Sequence, residues 1–402
     1  MGEEEKKPAI TLSPKLLEIL AKFQEIELED VDIDIGDLEI WVQPGARAVS
    51  PPKVVVGPPA KAKPSTILPV DFLPPIQEYP GRIQEVRLGA TKAEGGTRGR
   101  SIVIGGETSP AFYLFENLAP HSPVISLDVF DMKVPLAKAV KMHVEEVVGD
   151  PVAWAKLAVD KFGAEMITLH LVSTDPLIND TPPKEAAKTV ENVLQAVDVP
   201  IVIGGCGDPK KDLEVFKEAT AVAEGERCLI SSLTADMDLP KVAPLVKEHG
   251  HVALAFTPMD MNRARELNRR LYEFIPKDQI VIDTTTAALG YGLDYAFTVM
   301  ERSRLAGLMG DPELQHPISS GTTNAWAARE AWIKMDPEWG PKELRGPIWE
   351  TVTALSLLLV GVDLFMMMHP AAVKTVKSVI KELTSGNKAK SERIADWVTM
   401  KI

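Results

Sequence analysis

From about residue 84 onward the chain sets short, continuously apolar runs between amphipathic segments, and this rhythm restricts the fold more than anything else in it. The runs are SIVIGGE (101–107), EMITLHLVS (165–173), PIVIGG (200–205), CLISSL (228–233), HVALAFT (251–257), QIVIDTT (279–285), HPISSGT (316–322) and DLFMMMH (363–369). They lack the apolar/polar alternation of half-wet strands, so they suit parallel strands covered on both faces. The segments between them carry helix-end signals. DPVAWAKLAVDKFGAE opens with Asp150 as N-cap and Pro151 at the first helical position, and it closes on Gly163. Leu267, Leu271 and Phe274 hold one helical face after Asn262. Eight strand-then-helix units over roughly 300 residues predict an α/β fold of the (β/α)8 TIM barrel type. A doubly wound open sheet is the competing arrangement, but it usually has fewer strands and a glycine-marked first turn.

One pentapeptide, IVIGG, occurs twice, at 102–106 and at 201–205. Read as the first and third strands of one barrel, the two copies end at the same mouth. Their glycines would then clear space where loops turn or where a ligand approaches the backbone, although ordinary tight turns would require the same residues.

Residues 1–83 follow a different rule. SPKLLEILAKFQ places Leu16, Leu17, Leu20 and Phe23 at helical spacing, and EIELEDVDIDIGDLEIWV alternates acids with aliphatics as a strand pair would. From Pro44 to Pro80 ten prolines fall in 37 residues, a density that forbids helix and central strand. The expected organisation is an N-terminal helix and acidic strand segment (1–43), a proline-rich linker or arm (44–83) and the barrel (84–402).

A net charge of −13 argues against nucleic acid or an anionic membrane surface as a partner. Cys206 and Cys228 are the only cysteines, too few for a disulfide framework or a four-thiolate iron–sulfur cluster. The N-terminus, MGEEEKKPAI, has neither the basic start nor the apolar stretch of a signal peptide, so the chain reads as reduced and cytoplasmic. The one long apolar segment, at 352–370, is split by Gly361 and Asp363 and reads as a buried helix followed by a buried strand.

Active sites of such barrels lie at the C-terminal ends of the strands. The residues expected there are Gly106, Glu107 and Thr108; Ser173, Thr174 and Asp175; Gly205, Cys206 and Asp208; Ser232 and Thr234; Thr257; Asp283, Thr284 and Thr285; Ser320, Thr322, Thr323 and Asn324; and His369. Hydroxyls and amides dominate, which suits hydrogen bonding to a large polar ligand better than acid–base work. Thr284, Thr322 and Asn324 are each expected just past a strand, in a loop, where substitution should spare the packed layers of the interior. IGGCGDPKKD lacks both phosphate-loop patterns, so Asp208 and Pro209 read as a helix start and Cys206 as a small filler. The seven histidines form no metal-ligating pair, and His170 and His369 alone have an inward option on a strand. Asp283 either works at the mouth or holds the TTT loop through hydrogen bonds.

Four stretches together are familiar: ETSPAFYLFENLAPHSPVISLDVFDM, DPVAWAKLAVDKFGAEMITLHLVSTDP, IDTTTAALGYGLDYAFTVMERSRLAGL and HPISSGTTNAWAAREAW. Over residues 84–385 the chain resembles the small-subunit family of corrinoid iron–sulfur proteins, and most closely its archaeal form, the delta subunits of acetyl-CoA decarbonylase/synthase complexes. The resemblance implies a barrel related to pterin-binding methyltransferases and a heterodimer with a larger gamma-type subunit. That partner would carry the [4Fe–4S] cluster and a mobile corrinoid domain, so the corrinoid would be shared between the two chains, with no iron–sulfur cluster in this one. It further implies methyl transfer from a methyltetrahydropterin to the synthase, acetyl-CoA synthase and carbon monoxide dehydrogenase components as further partners, and a barrel mouth facing the corrin. The residues assigned to that contact are Gly106, Thr108, Ser173, Gly205, Ser232, Thr257, Asp283, Thr284, Thr322 and Asn324, with none assigned to catalysis. The D-x-H-x-x-G cobalt-ligating pattern is absent. Two other readings stand beside this one: a pterin-dependent methyltransferase working alone through Asp175, Asp283 and Asn324, and a scaffold with an idle barrel.

Overall fold

The first two strands stand apart from the rest. β1 (Glu85–Leu88) and β2 (Ile102–Gly105) pair antiparallel with each other alone, Glu85 opposite Gly105 and Leu88 opposite Ile102. This is a computed structural model, and it describes residues 76–113 and 119–384. The expected N-terminal helix, the acidic strand pair and most of the proline-rich segment lie outside those residues.

The barrel follows. Its strands are β3 (Val124–Phe130), β4 (Met166–His170), β5 (Ile201–Gly204), β6 (Leu229–Leu233), β7 (Val252–Phe256), β8 (Ile280–Asp283), β9 (Ser319–Gly321) and β10 (Leu364–Met367). They pair in parallel in the order β8-β7-β6-β5-β4-β3-β10-β9, and a parallel bridge from Ile282 to Ile318 joins the two outer strands. The helices are α1 (Lys138–Val144), α2 (Pro151–Asp160), α3 (Pro183–Ala196), α4 (Pro209–Val222), α5 (Leu239–Glu248), α6 (Met261–Leu271), α7 (Leu293–Leu308), α8 (Lys342–Leu358) and α9 (Pro370–Thr384). The α/β (β/α)8 barrel expected from the apolar rhythm is therefore present. Its caps are local: Asp150 accepts from the Ala153 amide at 3.0 Å, and Asp208 accepts from the Lys210 and Lys211 amides. No helix among the described residues is long and apolar enough to cross a membrane.

One strand assignment is corrected. SIVIGGE is not the first barrel strand; that place belongs to β3, VISLDVF, which the rule of continuous apolarity passes over. Ser126 and Asp128 interrupt it because they point into the barrel, where both are buried and hydrogen-bonded or ion-paired to other strands. The outward Ile125, Leu127 and Val129 pack under the helices.

The misassigned strand has another task. Val86, Leu88 and Ile104 of the hairpin meet Val124, Met166, Val202, Leu229, Val281 and Leu364, the lowest inward side chains of the barrel. Backbone bonds fix the hairpin there. The Gly89 amide donates to Arg227 just before β6, Gly99 to Asp198 before β5, and Gln84 to Gln315 before β9. Full burial of each of these aliphatics contributes about 1.5–3 kcal/mol, so the hairpin is a hydrophobic floor at the N-terminal end. Three buried ion pairs fasten its edges. Arg98 meets Glu226 at 2.6 Å, and Arg304 of α7 lies between Glu107, at 3.0 Å, and Asp363, at 2.5 Å.

The two IVIGG copies thus lie at opposite ends of the barrel. Gly105 turns at φ +85°, where an added Cβ would sit 2.1 Å from the Gln84 carbonyl oxygen. Gly205, past β5 at the other end, must be glycine because a Cβ would fall 2.4 Å from the Asp212 carboxylate.

Candidate functional site at the barrel mouth

The C-terminal ends of the strands converge on a polar mouth built in tiers. In the first, Ser126 and Thr168 share a hydrogen bond of 2.7 Å between β3 and β4. Above it, Asp128 Oδ1 lies 3.1 Å from His170 Nε2, while Thr323 donates to the other oxygen of Asp128. The Phe130 ring stacks on His170, with centroids 5.0 Å apart. Across the barrel, Asp283 accepts from the Thr285 amide at 2.8 Å and from Ser319 Oγ at 3.1 Å. Burial pushes the Asp283 carboxyl up to about 6. Thr285 adopts φ +73°, a strained setting for a β-branched residue, and its hydroxyl donates to the Thr257 carbonyl at 3.0 Å.

Glu350, on α8, reaches toward the β10 end and accepts from the Met368 and His369 amides at 2.6 and 3.0 Å. Burial first, with Asp128 adding a like charge, pushes its carboxyl up to about 8, so Glu350 is protonated at neutral pH. His369 packs between His143 and Trp326, and burial pushes it down to about 3. Both groups act as neutral, packed members of the wall.

The expected site residues divide by location. Gly106 and Thr108 are at the floor, since they follow β2; the neighbouring Glu107 is the buried partner of Arg304. Their assignment to the mouth is corrected, because it followed from placing their strand in the barrel. Ser173, Gly205, Thr257, Thr284, Thr322 and Asn324 follow barrel strands, Ser232 and Asp283 lie in the last residues of β6 and β8, and all are at the mouth end. Thr284 and Thr322 are fully buried, so the expectation that substitution there spares the packed interior fails. Thr322 instead continues a hydroxyl chain from Thr286 through Ser320, each link 2.9 Å. Asn324 is exposed, and its amide donates to the Thr286 carbonyl at 2.9 Å. Ser173 is pinned to Asp131 at the β3 exit by both its amide, at 3.0 Å, and its hydroxyl, at 2.5 Å. Asp175 holds its own loop by accepting from the Leu177 amide. Cys206 donates to Asp212 at 3.2 Å, and burial pushes its thiol up, which suits a filler rather than a nucleophile.

Residue types alone did not single out Ser126, Asp128, Asp131 or Glu350. The readable signal for the first two was the S-x-D alternation inside VISLDVF. Glu350 gave none, since its carboxylate lies on a helix that brings it under the mouth only in the folded barrel.

Two features give the mouth its character. Thr257 Oγ1, Thr284 Oγ1, Asp128 Oδ1 and His170 Nε2 are buried there without a well-formed hydrogen bond to protein. Around them the strand-to-helix loops expose large apolar side chains: Leu177 (94% exposed), Met259, Tyr291 (67%), Trp332 and Trp339.

A family model described as CO dehydrogenase/acetyl-CoA synthase delta subunit matches residues 85–335. The chain belongs to this delta-subunit family. It is 55% identical, over 84% of its length and 76% of the relative's, to the acetyl-CoA decarbonylase/synthase complex subunit delta of Archaeoglobus fulgidus. The corresponding Methanocaldococcus jannaschii subunit is 45% identical over 92% of both chains. Among solved structures, the chain is similar to dihydropteroate synthase from Thermus thermophilus, with a TM-score of 0.45, 15% identity, and coverage of 75% of this chain and 100% of that one.

Proposed function

We propose that this delta-family chain serves an acetyl-CoA decarbonylase/synthase complex by presenting its barrel mouth to a corrinoid held with a larger, gamma-type corrinoid iron–sulfur subunit. In that position it supports methyl transfer between a methyltetrahydropterin and the synthase, in reversible synthesis and cleavage of acetyl-CoA. The observation that carries this reading is the ring of exposed apolar side chains, Leu177, Met259, Tyr291, Trp332 and Trp339, on the loops around the polar mouth. Exposed apolar rims mark interaction surfaces, and polar groups inside them fix the orientation of what binds. A corrin offers both complements, amide groups at its edge and broad apolar faces. The residues that would meet it are Asn324 from the mouth, with Tyr291 and Trp332 from the rim. The bound corrinoid would supply the metal that carries the methyl group.

Cys206 and Cys228 are the only cysteines, so in this reading the iron–sulfur cluster belongs to the partner. The test is co-expression with the gamma-type subunit, followed by measurement of cobalt per heterodimer. Tyr291→Glu should lower affinity for the partner by at least 10-fold while leaving the melting temperature near wild type. A wild-type heterodimer that retains no cobalt, or a variant that binds as tightly as wild type, would refute the proposal.

A further inference from the structure

The contact between Asp128 and His170 is an unusual thing to find at the inner end of a mouth otherwise lined with hydroxyls. Asp128 is 2% exposed, and Thr323 fixes one of its oxygens. Its other oxygen and His170 Nε2 are 3.1 Å apart but poorly aligned, and neither has another protein partner. Hydrogen bonds of this kind are often loose until a ligand tightens them. The far edge of the imidazole has been kept open. The neighbouring inward position on β5 is Gly204, where a Cβ would lie 3.3 Å from His170 Nδ1. The His170 side chain is 27% exposed, so it is reachable from the mouth.

We propose that His170, oriented by Asp128, is the proton donor of the mouth, delivering a proton from Nδ1 to the nitrogen of an N-methylated reduced pterin as its methyl group leaves. This deepens the function proposed above and rests on it. The C–N bond breaks, the methyl carbon passes to the reduced corrinoid as nucleophile, and the electron pair left on nitrogen takes the His170 proton. The imidazole is left neutral, and the reverse reaction returns the proton to it. An amine is a poor leaving group unless protonated, which is the barrier a general acid lowers. Asp128 is a positioning residue that stabilises the imidazolium. The other titratable groups on the packed elements are Asp131, whose amide donates to the His170 carbonyl; Glu350, behind Asp128; and Cys206 and Asp212, beyond β5.

The experiment uses the corrinoid-loaded heterodimer and two methyl donors, 5-methyltetrahydropterin and methyl iodide, whose leaving group needs no proton. His170→Gln should slow transfer from the pterin by about 100-fold or more and abolish the acid dependence of its rate. Transfer from methyl iodide should change by less than about twofold, which also reports that the variant is folded and loaded. Asp128→Asn should give a smaller loss with the same donor selectivity. An independent readout is calorimetric titration of 5-methyltetrahydropterin into the oxidised, non-reacting heterodimer in buffers of different ionisation enthalpy. Wild type should show a proton linked to binding and His170→Gln none. Equal losses with both donors, or full activity of His170→Gln with the pterin, would overturn the proposal, as would unchanged proton linkage. A wild-type heterodimer inert to both donors would instead bring down the parent reading, and the role of His170 with it.

Discussion

The two copies of IVIGG occupy opposite ends of one barrel, and the ends are built on opposite principles. At the floor, Ile102–Gly105 pairs with β1 and lays aliphatic side chains against the lowest layer of the barrel; the charged groups there, Arg304 with Glu107 and Asp363, are buried in contact with one another. At the mouth, Ile201–Gly204 ends among hydroxyls and loops that expose aromatic and aliphatic side chains. Apolar burial makes the first end a source of stability. An exposed apolar rim around polar groups makes the second a surface that another molecule can cover.

The contrast can be broken most forcefully at Arg304. Arg304→Met strands two carboxylates in an apolar floor and should destabilise the protein by about 3–5 kcal/mol, read as a large fall in the chemical-denaturation midpoint. A loss under about 1 kcal/mol would mean that the floor is wetter than the packing indicates. Ile104→Ala, which opens a cavity between hairpin and barrel, should cost about 2–4 kcal/mol in the same assay and leave partner affinity unchanged.

At the mouth the expected sign reverses. Because the Asp283 carboxyl is raised to about 6, the folded state holds that proton more tightly than the unfolded chain does. The stability this gives is full below about pH 4, declines as the pH rises toward 6, and is absent above it. Asp283→Asn should therefore be more stable than wild type above pH 6, by up to about 3 kcal/mol, and should lose this advantage near pH 4. Melting curves across that range test it, and a pH-independent difference would sink the assignment. The smallest effect is expected for Ser173→Ala, which removes one hydroxyl bond to Asp131 and should cost about 1 kcal/mol.

Much of the fold was legible before any coordinates. Seven of the eight barrel strands fall within the runs that the sequence singles out, although β9 itself is Ser319–Gly321, and the caps at Asp150 and Asp208 follow from rules that act within one helical turn. The positions around the mouth followed almost automatically, because a parallel barrel places every strand's C-terminal residues at the same end. The exceptions are informative. Gly106 and Thr108 went to the wrong end because their strand was given the wrong neighbours, and β3 was passed over because its inward face is polar.

The reason lies in what a strand's sequence encodes. Alternation, capping and turn chemistry depend on residues a few positions apart, so the chain itself determined that this protein is a barrel of alternating strands and helices with a hydroxyl-rich rim. Which edge a strand joins, and in which direction, depends on contacts between distant residues. IVIG at 102–105 is antiparallel because Val86 and Leu88 complete a hydrophobic plug with it, whereas IVIG at 201–204 is parallel because β4 and β6 flank it. Likewise Asp128 and His170 are 42 residues apart, and Glu350 lies far beyond both. Only closure of the barrel brings these side chains within range of one another, and only there does burial hold Glu350 protonated.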